Sequence, residues 1–359
     1  MKKLLALVLA GVMALSMVAC GGGETEGTTD AGEGKLKVNL IVQNLGDKSF
    51  NDSADSGLKR LVAEGKIDYT CTEYGTDNSK VVITMEEAAE DYDVVICNNL
   101  GFGMATDWLA ANAASYADTT FIIYDEPSVS LPDKNVQFLC YKANESDYVA
   151  GALAALISET GVIGFVGGME SPVIHDFLVG YILGAQYVNP DVKVCVSYVG
   201  SYTDAAKAKD LGVQDIAAGA DVLHQVAGSA GNGYLEAAFE AGKYGVGVDA
   251  DQYEAFKDSK PELAKSIVTS SLKDVGESLY VVVGAMADGT YEWAEQLWFG
   301  MPEKCAGIAE NENYLALVSE EDRAAIDDIK AKMAAGEITV PTAYGMTADE
   351  INALVDSAK

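Results

Sequence analysis

From residue 36 onward the chain alternates between two hydrophobic periods. Short runs rich in Val, Ile, Tyr and Phe predict β-strands over 38–42, 69–73, 94–98, 121–125, 136–141, 162–166, 193–199, 222–226, 245–248 and 266–270. Between them lie stretches with helical spacing, at 51–64, 148–160, 172–188, 205–218 and 234–242, and two more, at 320–335 and 347–358, close the chain. The run 148–157 is Ala and Leu nearly all round, which predicts a buried helix. Strands alternating with helices imply parallel sheets joined by right-handed crossovers. So many strands exceed one small sheet, and two doubly wound parallel-sheet lobes are the economical α/β arrangement. In such sheets ligands bind beyond the carboxyl ends of the strands.

The residues just after the strands are polar and glycine-rich. Gln43-Asn44-Leu45-Gly46-Asp47-Lys48-Ser49-Phe50-Asn51 follows the first, Asn98-Asn99 with Gly101-Phe102-Gly103 the third, and Asp125 the fourth. Further on come Gly167-Gly168, Ser201-Tyr202-Thr203-Asp204, Gly228 with Gly231-Asn232-Gly233, Asp249-Ala250-Asp251-Gln252, and Ser271-Leu272-Lys273. Carboxylates accept paired hydroxyl donors. Aromatic rings stack on a flat base, worth about 1–3 kcal/mol per base. Glycines admit close backbone approach. The set suits a neutral, polyhydroxylated ligand with a flat ring.

The first twenty residues are of another kind. Lys2 and Lys3 precede an apolar run over 4–18, short for a membrane span of about 20 residues, and Ala19-Cys20 follows. Residues 1–19 are expected to be a secretory signal. Met17-Val18-Ala19-Cys20 resembles a bacterial lipobox with Met where Leu is usual, which makes Cys20 the lipidation site. Residues 21–35 contain almost nothing apolar, so 20–35 reads as a lipidated Cys and a flexible linker reaching roughly 20 Å. The formal net charge is −31, and removing 1–19 takes away two Lys and no acid, leaving −33. Such a chain repels phosphate backbones, which excludes a nucleic-acid partner, and it lacks the basic patches that hold proteins to anionic lipid.

Familiar chemical templates are missing. The glycines at 228–233 match neither a phosphate loop nor a dinucleotide fingerprint, and no nucleophile elbow occurs. Asp249 and Asp251 lack the spacing of a calcium loop. His224, in a predicted strand, reads as a packed core residue, and His175 has no triad partner at a usable spacing. Cys71, Cys97, Cys140, Cys195 and Cys305 show no C-x-x-C spacing and read as free thiols. No cofactor, metal or catalytic residue is expected.

Asp47-Lys48-Ser49-Phe50-Asn51 with Gly57-Leu58 resembles the signature of the basic membrane protein (Bmp/PnrA-like) lipoproteins, nucleoside-binding proteins of ABC transporters. The resemblance continues in order through Tyr148-Val149-Ala150-Gly151, Gly164-Phe165-Val166-Gly167-Gly168, Asn189-Pro190-Asp191, residues 198–204, Gly231-Asn232-Gly233, Gly247-Val248-Asp249 and Ser270-Ser271-Leu272-Lys273. It implies a type I periplasmic-binding-protein fold, two lobes joined by three crossovers, with no catalysis. One lobe is expected from 36–142 plus about 270–300, the other from about 143–269 plus 301–359. Carried over, Phe50 and Tyr202 sandwich a nucleobase, Asn51 and Asp125 bond its edge, and Asp249 takes ribose hydroxyls with Lys273 and Gly228 nearby. Tyr202 stands where the family usually has Phe, so its hydroxyl needs a polar partner. Gly46 replaces the first acid of the signature beside Asp47. Asn44 is its candidate substitute, and the base preference stays open. The expectation is a monomeric, lipid-anchored extracytoplasmic protein that hands a nucleoside, a purine one favoured, to an ABC permease. A binding protein for a sugar or other polar metabolite, a nucleoside-cleaving enzyme using Asp125 or Asp249, and a ligand-sensing receptor are the alternatives. Phe50 as a core anchor and Asp249 as a helix cap or ion-pair member are the plain structural readings.

Overall fold

The computed structural model describes residues 34–98, 103–127, 131 and 135–359. The expected signal, Cys20, the linker up to 33, Asn99 and Gly101-Phe102 lie outside the described residues.

The chain begins with β1 (Leu36–Val42), α1 (Phe50–Ala63), β2 (Ile67–Glu73), α2 (Lys80–Asp91), β3 (Val94–Asn98), α3 (Met104–Asn112), β4 (Thr120–Tyr124) and β5 (Val136–Tyr141). It then enters a second α/β unit: α4 (Ala143–Ile157), β6 (Val162–Gly167), α5 (Pro172–Val188), β7 (Lys193–Tyr198), α6 (Ala205–Ala217), β8 (Val222–Val226), α7 (Gly228–Glu240), β9 (Tyr244–Asp249), α8 (Gln252–Phe256), α9 (Pro261–Ala264) and β10 (Ile267–Lys273). Next come α10 (Val275–Ala287) and β11 (Gln296–Phe299), and the chain closes with β12 (Ala306–Ile308), α11 (Glu312–Leu317), α12 (Glu320–Ala334) and α13 (Ala348–Ser357).

Two sheets result, ordered β2-β1-β3-β4-β5-β11 and β7-β6-β8-β9-β10-β12. All pairings are parallel except β12, which runs antiparallel to β10. The chain passes between the sheets at 141–143, 273–275 and 299–306. β10 stays in the second sheet to Lys273, so the middle crossover falls a few residues later than the 270 expected. The last two strands escape the sequence pattern because runs of four and three residues carry no readable period.

Alternation along each strand feeds two core layers per sheet. In the first lobe Val38, Leu40 and Val42 pack with Leu58, Leu61, Leu279 and Val283, while Ile41, Val95 and Cys97 pack with Val81, Met85 and Leu109 on the other face. In the second, Ile163 and Phe165 face α4 and α5, and Val166 and Leu223 face α6 and α7.

α4 starts five residues before the expected 148. Its first turn carries polar residues that are nevertheless buried: Ser146 Oγ donates to Leu272 O at 2.6 Å and accepts from Gly307 N at 2.9 Å. It ends at Ile157, because Ser158, Glu159 and Thr160 wrap round the Asp221 carboxylate. α7 also starts early. The glycines at 228–233 are its first turns and not a loop, since Gly231 packs on the Gln225 side chain and Gly233 on the Ala205 carbonyl. His224 is fully buried, with Nε2 3.1 Å from Asp147 Oδ2 and Nδ1 3.2 Å from Val246 O.

Candidate functional site

The turn after β1 is organised by two carboxylates. Asp47 accepts from the backbone N–H groups of Ser49, Asn51 and Asp52 at 3.0, 2.8 and 3.1 Å. Asp52 reaches back to Gly46 N at 2.7 Å and Lys48 N at 3.0 Å. Asp47 thus takes three of the N–H groups left open at the start of α1, while Asp52 ties down the turn before it, in which Lys48 sits at φ 60°. The Asp47 carboxyl is pushed up to about 6, chiefly by burial, against the pull of those N–H groups. Ser49 precedes α1 but does not cap it: its hydroxyl donates to Asp249 Oδ2 of the other lobe at 2.5 Å.

At the ends of β4 and β9, Asp125 and Asp249 sit at φ 66° and 63°. Left-handed backbone is uncommon for a residue with a Cβ, and Asp tolerates it better than most. The two lobes thereby aim a carboxylate each at one ammonium: Lys273 Nζ lies 2.7 Å from Asp125 Oδ2 and 3.6 Å from Asp249 Oδ1. That ammonium also stands 4.6 Å from the Phe50 ring centre and 4.9 Å from that of Phe177. Burial pulls the lysine's pKa down, but the two carboxylates outweigh it and the net shift is upward. Burial pushes Asp249 up, with Lys273 and Ser49 countering. Asp251, not Asp249, caps α8, accepting from Glu254 N at 3.3 Å.

These groups surround a cavity of about 260 Å³ between the sheets. Asn44, Asp47, Phe50, Asn51 and Asp125 line it from the first lobe; Tyr202, Gly228, Asp249 and Lys273 line it from the second. Every sequence-predicted ligand residue among those described is therefore brought to one place. Several are already engaged. Asn51 Nδ2 donates to Asn44 O at 2.9 Å and its Oδ1 accepts from Asn98 at 3.2 Å, which uses one of its two amide protons and one of its two oxygen lone pairs. Phe50 is core and wall at once, 7% exposed and 5.2 Å from the Tyr124 ring. Burial pushes the Tyr202 hydroxyl's pKa up, with Ser171 countering. Its ring lies where a Cβ on Gly168 would come within 2.4 Å, and Ala230 N and Ser229 Oγ both donate to its carbonyl at 2.9 Å.

Sequence reading missed one wall. Met169, Ser171, Pro172, Ile174 and Phe177, at the start of α5, form the apolar side of the cavity. The signal was present in the Ser171-Pro172 helix start just past Gly167-Gly168, but an apolar residue in a helix reads as core. Among the described residues no cluster of three or more His, Cys, Asp or Glu is placed to hold a metal ion. Among them also, no helix is long and apolar enough to cross a membrane.

Two similar α/β lobes around a cavity lined from both sides have the architecture of a two-lobe ligand-binding protein. Solved structures show the same fold: a solute-binding protein of an ABC transporter system from Aeropyrum pernix K1 superposes with a TM-score of 0.76 at 22% identity, covering 90% of this chain and 99% of that one. A transcriptional activator of the comK gene from Bacillus halodurans does so at 0.67 and 22%, covering 82% and 96%. At such identities the likeness speaks for fold alone. Residues 35–343 match the Bmp family, described as ABC transporter substrate-binding protein PnrA-like, and the chain belongs to that family. Basic membrane protein A2 of Borrelia garinii subsp. bavariensis is 30% identical over 346 residues, 95% of this chain and 96% of that protein. The ABC transporter nucleoside-binding protein BmpA of Lactococcus lactis subsp. cremoris is 30% identical over 351 residues, 94% and 97% of the two chains. The fold is that of type I periplasmic binding proteins. The family is one of substrate-binding proteins of ABC transporters and not of enzymes.

Proposed function

We propose that this protein is a lipid-anchored, extracytoplasmic lipoprotein that captures a nucleoside, a purine one by preference, and delivers it to an ABC importer. The observation that carries the reading is one cavity holding an aromatic ring from each lobe, Phe50 and Tyr202, beside the Asp125–Lys273–Asp249 bridge. The rings hold the base by stacking. Asn51 and Asp125 take its polar edge, and Asp249 accepts from ribose hydroxyls. Gly228 lets the ligand approach backbone, and Asn44 completes the base end. Asp47 acts at one remove, by holding the turn that carries Phe50 and Asn51. The name of the Lactococcus lactis relative supports the nucleoside class. A phosphorylated ligand is disfavoured, because Lys273 is the only Lys or Arg among the described lining residues and carboxylates surround it. The anchor rests on Cys20 and the apolar run before it.

Calorimetric titration of the mature chain tests this. Inosine, guanosine and adenosine are expected to bind at least a hundredfold more tightly than ribose or inosine monophosphate. Binding of ribose without any nucleoside would remove the base-stacking proposal. Appearance of free base would make the protein an enzyme.

A further inference from the structure

The turn after β1 meets the second lobe outside the cavity as well as inside it. Lys48, in its left-handed conformation, presents its carbonyl to Gln252 Nε2 at 3.2 Å. Asn232 Nδ2 donates to Asp47 O at 3.5 Å. Lys48, Asn232 and Gln252 do not line the cavity.

Gln252 is wholly buried, and its amide is fully used. Oε1 accepts from Gln225 Nε2 at 2.7 Å and Val248 N at 3.2 Å, while Nε2 donates to Lys48 O at 3.2 Å and Asn232 Oδ1 at 3.5 Å. Gln225 is itself oriented by Ala227 N, which donates to its Oε1 at 3.0 Å. Two glycines make room for the pair: a Cβ on Gly231 would lie 1.6 Å from Gln225 Oε1, and one on Gly247 2.7 Å from Gln252 Oε1. The second lobe alone thus dictates which way the Gln252 amide faces, and it turns the N–H groups to the seam.

We propose that Gln252 is a positioning residue for ligand capture, a latch that bonds the second lobe to the Lys48 carbonyl of the first and favours the closed form through contacts the ligand never makes. Opening exchanges the Lys48 bond for water. A bond present only in the closed form shifts the population toward it and slows release more than capture. The strained backbone at Lys48 fits this role, since it is what points the carbonyl across the seam.

Gln252→Glu separates the latch from a merely structural part. It keeps the shape and an acceptor for Gln225 Nε2 and Val248 N, but sets an oxygen against the Lys48 carbonyl. The ligand-free variant is expected to show a larger radius of gyration in solution X-ray scattering than the wild type. Inosine is expected to leave it about tenfold faster in stopped flow, with far-UV circular dichroism and lobe melting retained. Equal ligand-free radii, or equal release rates, would overturn the latch. Should Gln252→Glu not fold, Gln252→Met removes the bond to the Lys48 carbonyl while keeping the length of the side chain, and the same two readouts decide. Wild-type inosine binding is judged separately: its failure would count against the nucleoside reading, while ligand-free scattering still tests the latch.

Discussion

Lys273 is 4% exposed and carries its charge between two carboxylates and two aromatic rings. A buried ion pair contributes little net stability over an apolar replacement, but deleting one partner strands the other. Lys273→Met keeps the stem and leaves Asp125 and Asp249 confronting each other across the cleft. We expect a loss of about 3 kcal/mol in urea unfolding and no nucleoside binding at neutral pH. Unchanged unfolding would mean that water entering the cleft solvates the two carboxylates as well as Lys273 does. Phe50 shows why a sequence-derived role needs the structure beside it. Its ring is both a cavity wall and part of the first lobe's core, so truncating it would confound stacking with packing.

Helices in both lobes pair backbone to backbone through glycines. A Cβ on Gly57 would come within 2.0 Å of Gly276 O, joining α1 to α10. Gly151, Gly180 and Gly184 do the same for α4 and α5, with Gly184 facing Tyr148 O at 1.9 Å. Helix propensity favours Ala over Gly by about 1 kcal/mol in a helix interior. Overpacking opposes it by about 1–3 kcal/mol and more where backbone must move. Contact wins here, so Gly184→Ala is expected to lower stability by about 2 kcal/mol in urea unfolding. A gain would show that the two helices can part without cost. The glycines of α7 have the same logic: they fit a side chain and a neighbouring turn, not a phosphate.

Over the whole molecule the charge of −31 is joined by carboxyls that folding holds in poorly solvated places. Burial pushes Asp47, Asp176 and Asp215 up to about 6 from an ordinary 3.8. Between those values the folded state binds protons that the unfolded state has released. Stability from these groups therefore falls as pH rises from about 4 to 6, and it is recovered on acidification. Relief of self-repulsion acts in the same direction. The melting temperature is expected to be higher at pH 5 than at pH 7 by calorimetry. A lower value at pH 5 would show that their hydrogen bonds, such as the three N–H groups on Asp47, hold them ionised.

What the sequence determined alone is local. Side-chain period gave away the strands from β1 to β10, and the rule that ligands sit beyond strand ends placed Asp125, Asp249 and Lys273 under suspicion before any contact was known. Helix starts were less legible where buried polar residues, as in the first turn of α4, imitate a loop. The tertiary structure alone decided what depends on distant pairs. It set which lobe owns β11 and β12, the bridge of Asp125 and Asp249 through Lys273, the α5 residues that wall the cavity, and the bond from Gln252 to Lys48. The physical reason is that period and turn chemistry act over a few residues. A cleft is made by chain segments far apart in sequence, and no local pattern records which of them will face each other.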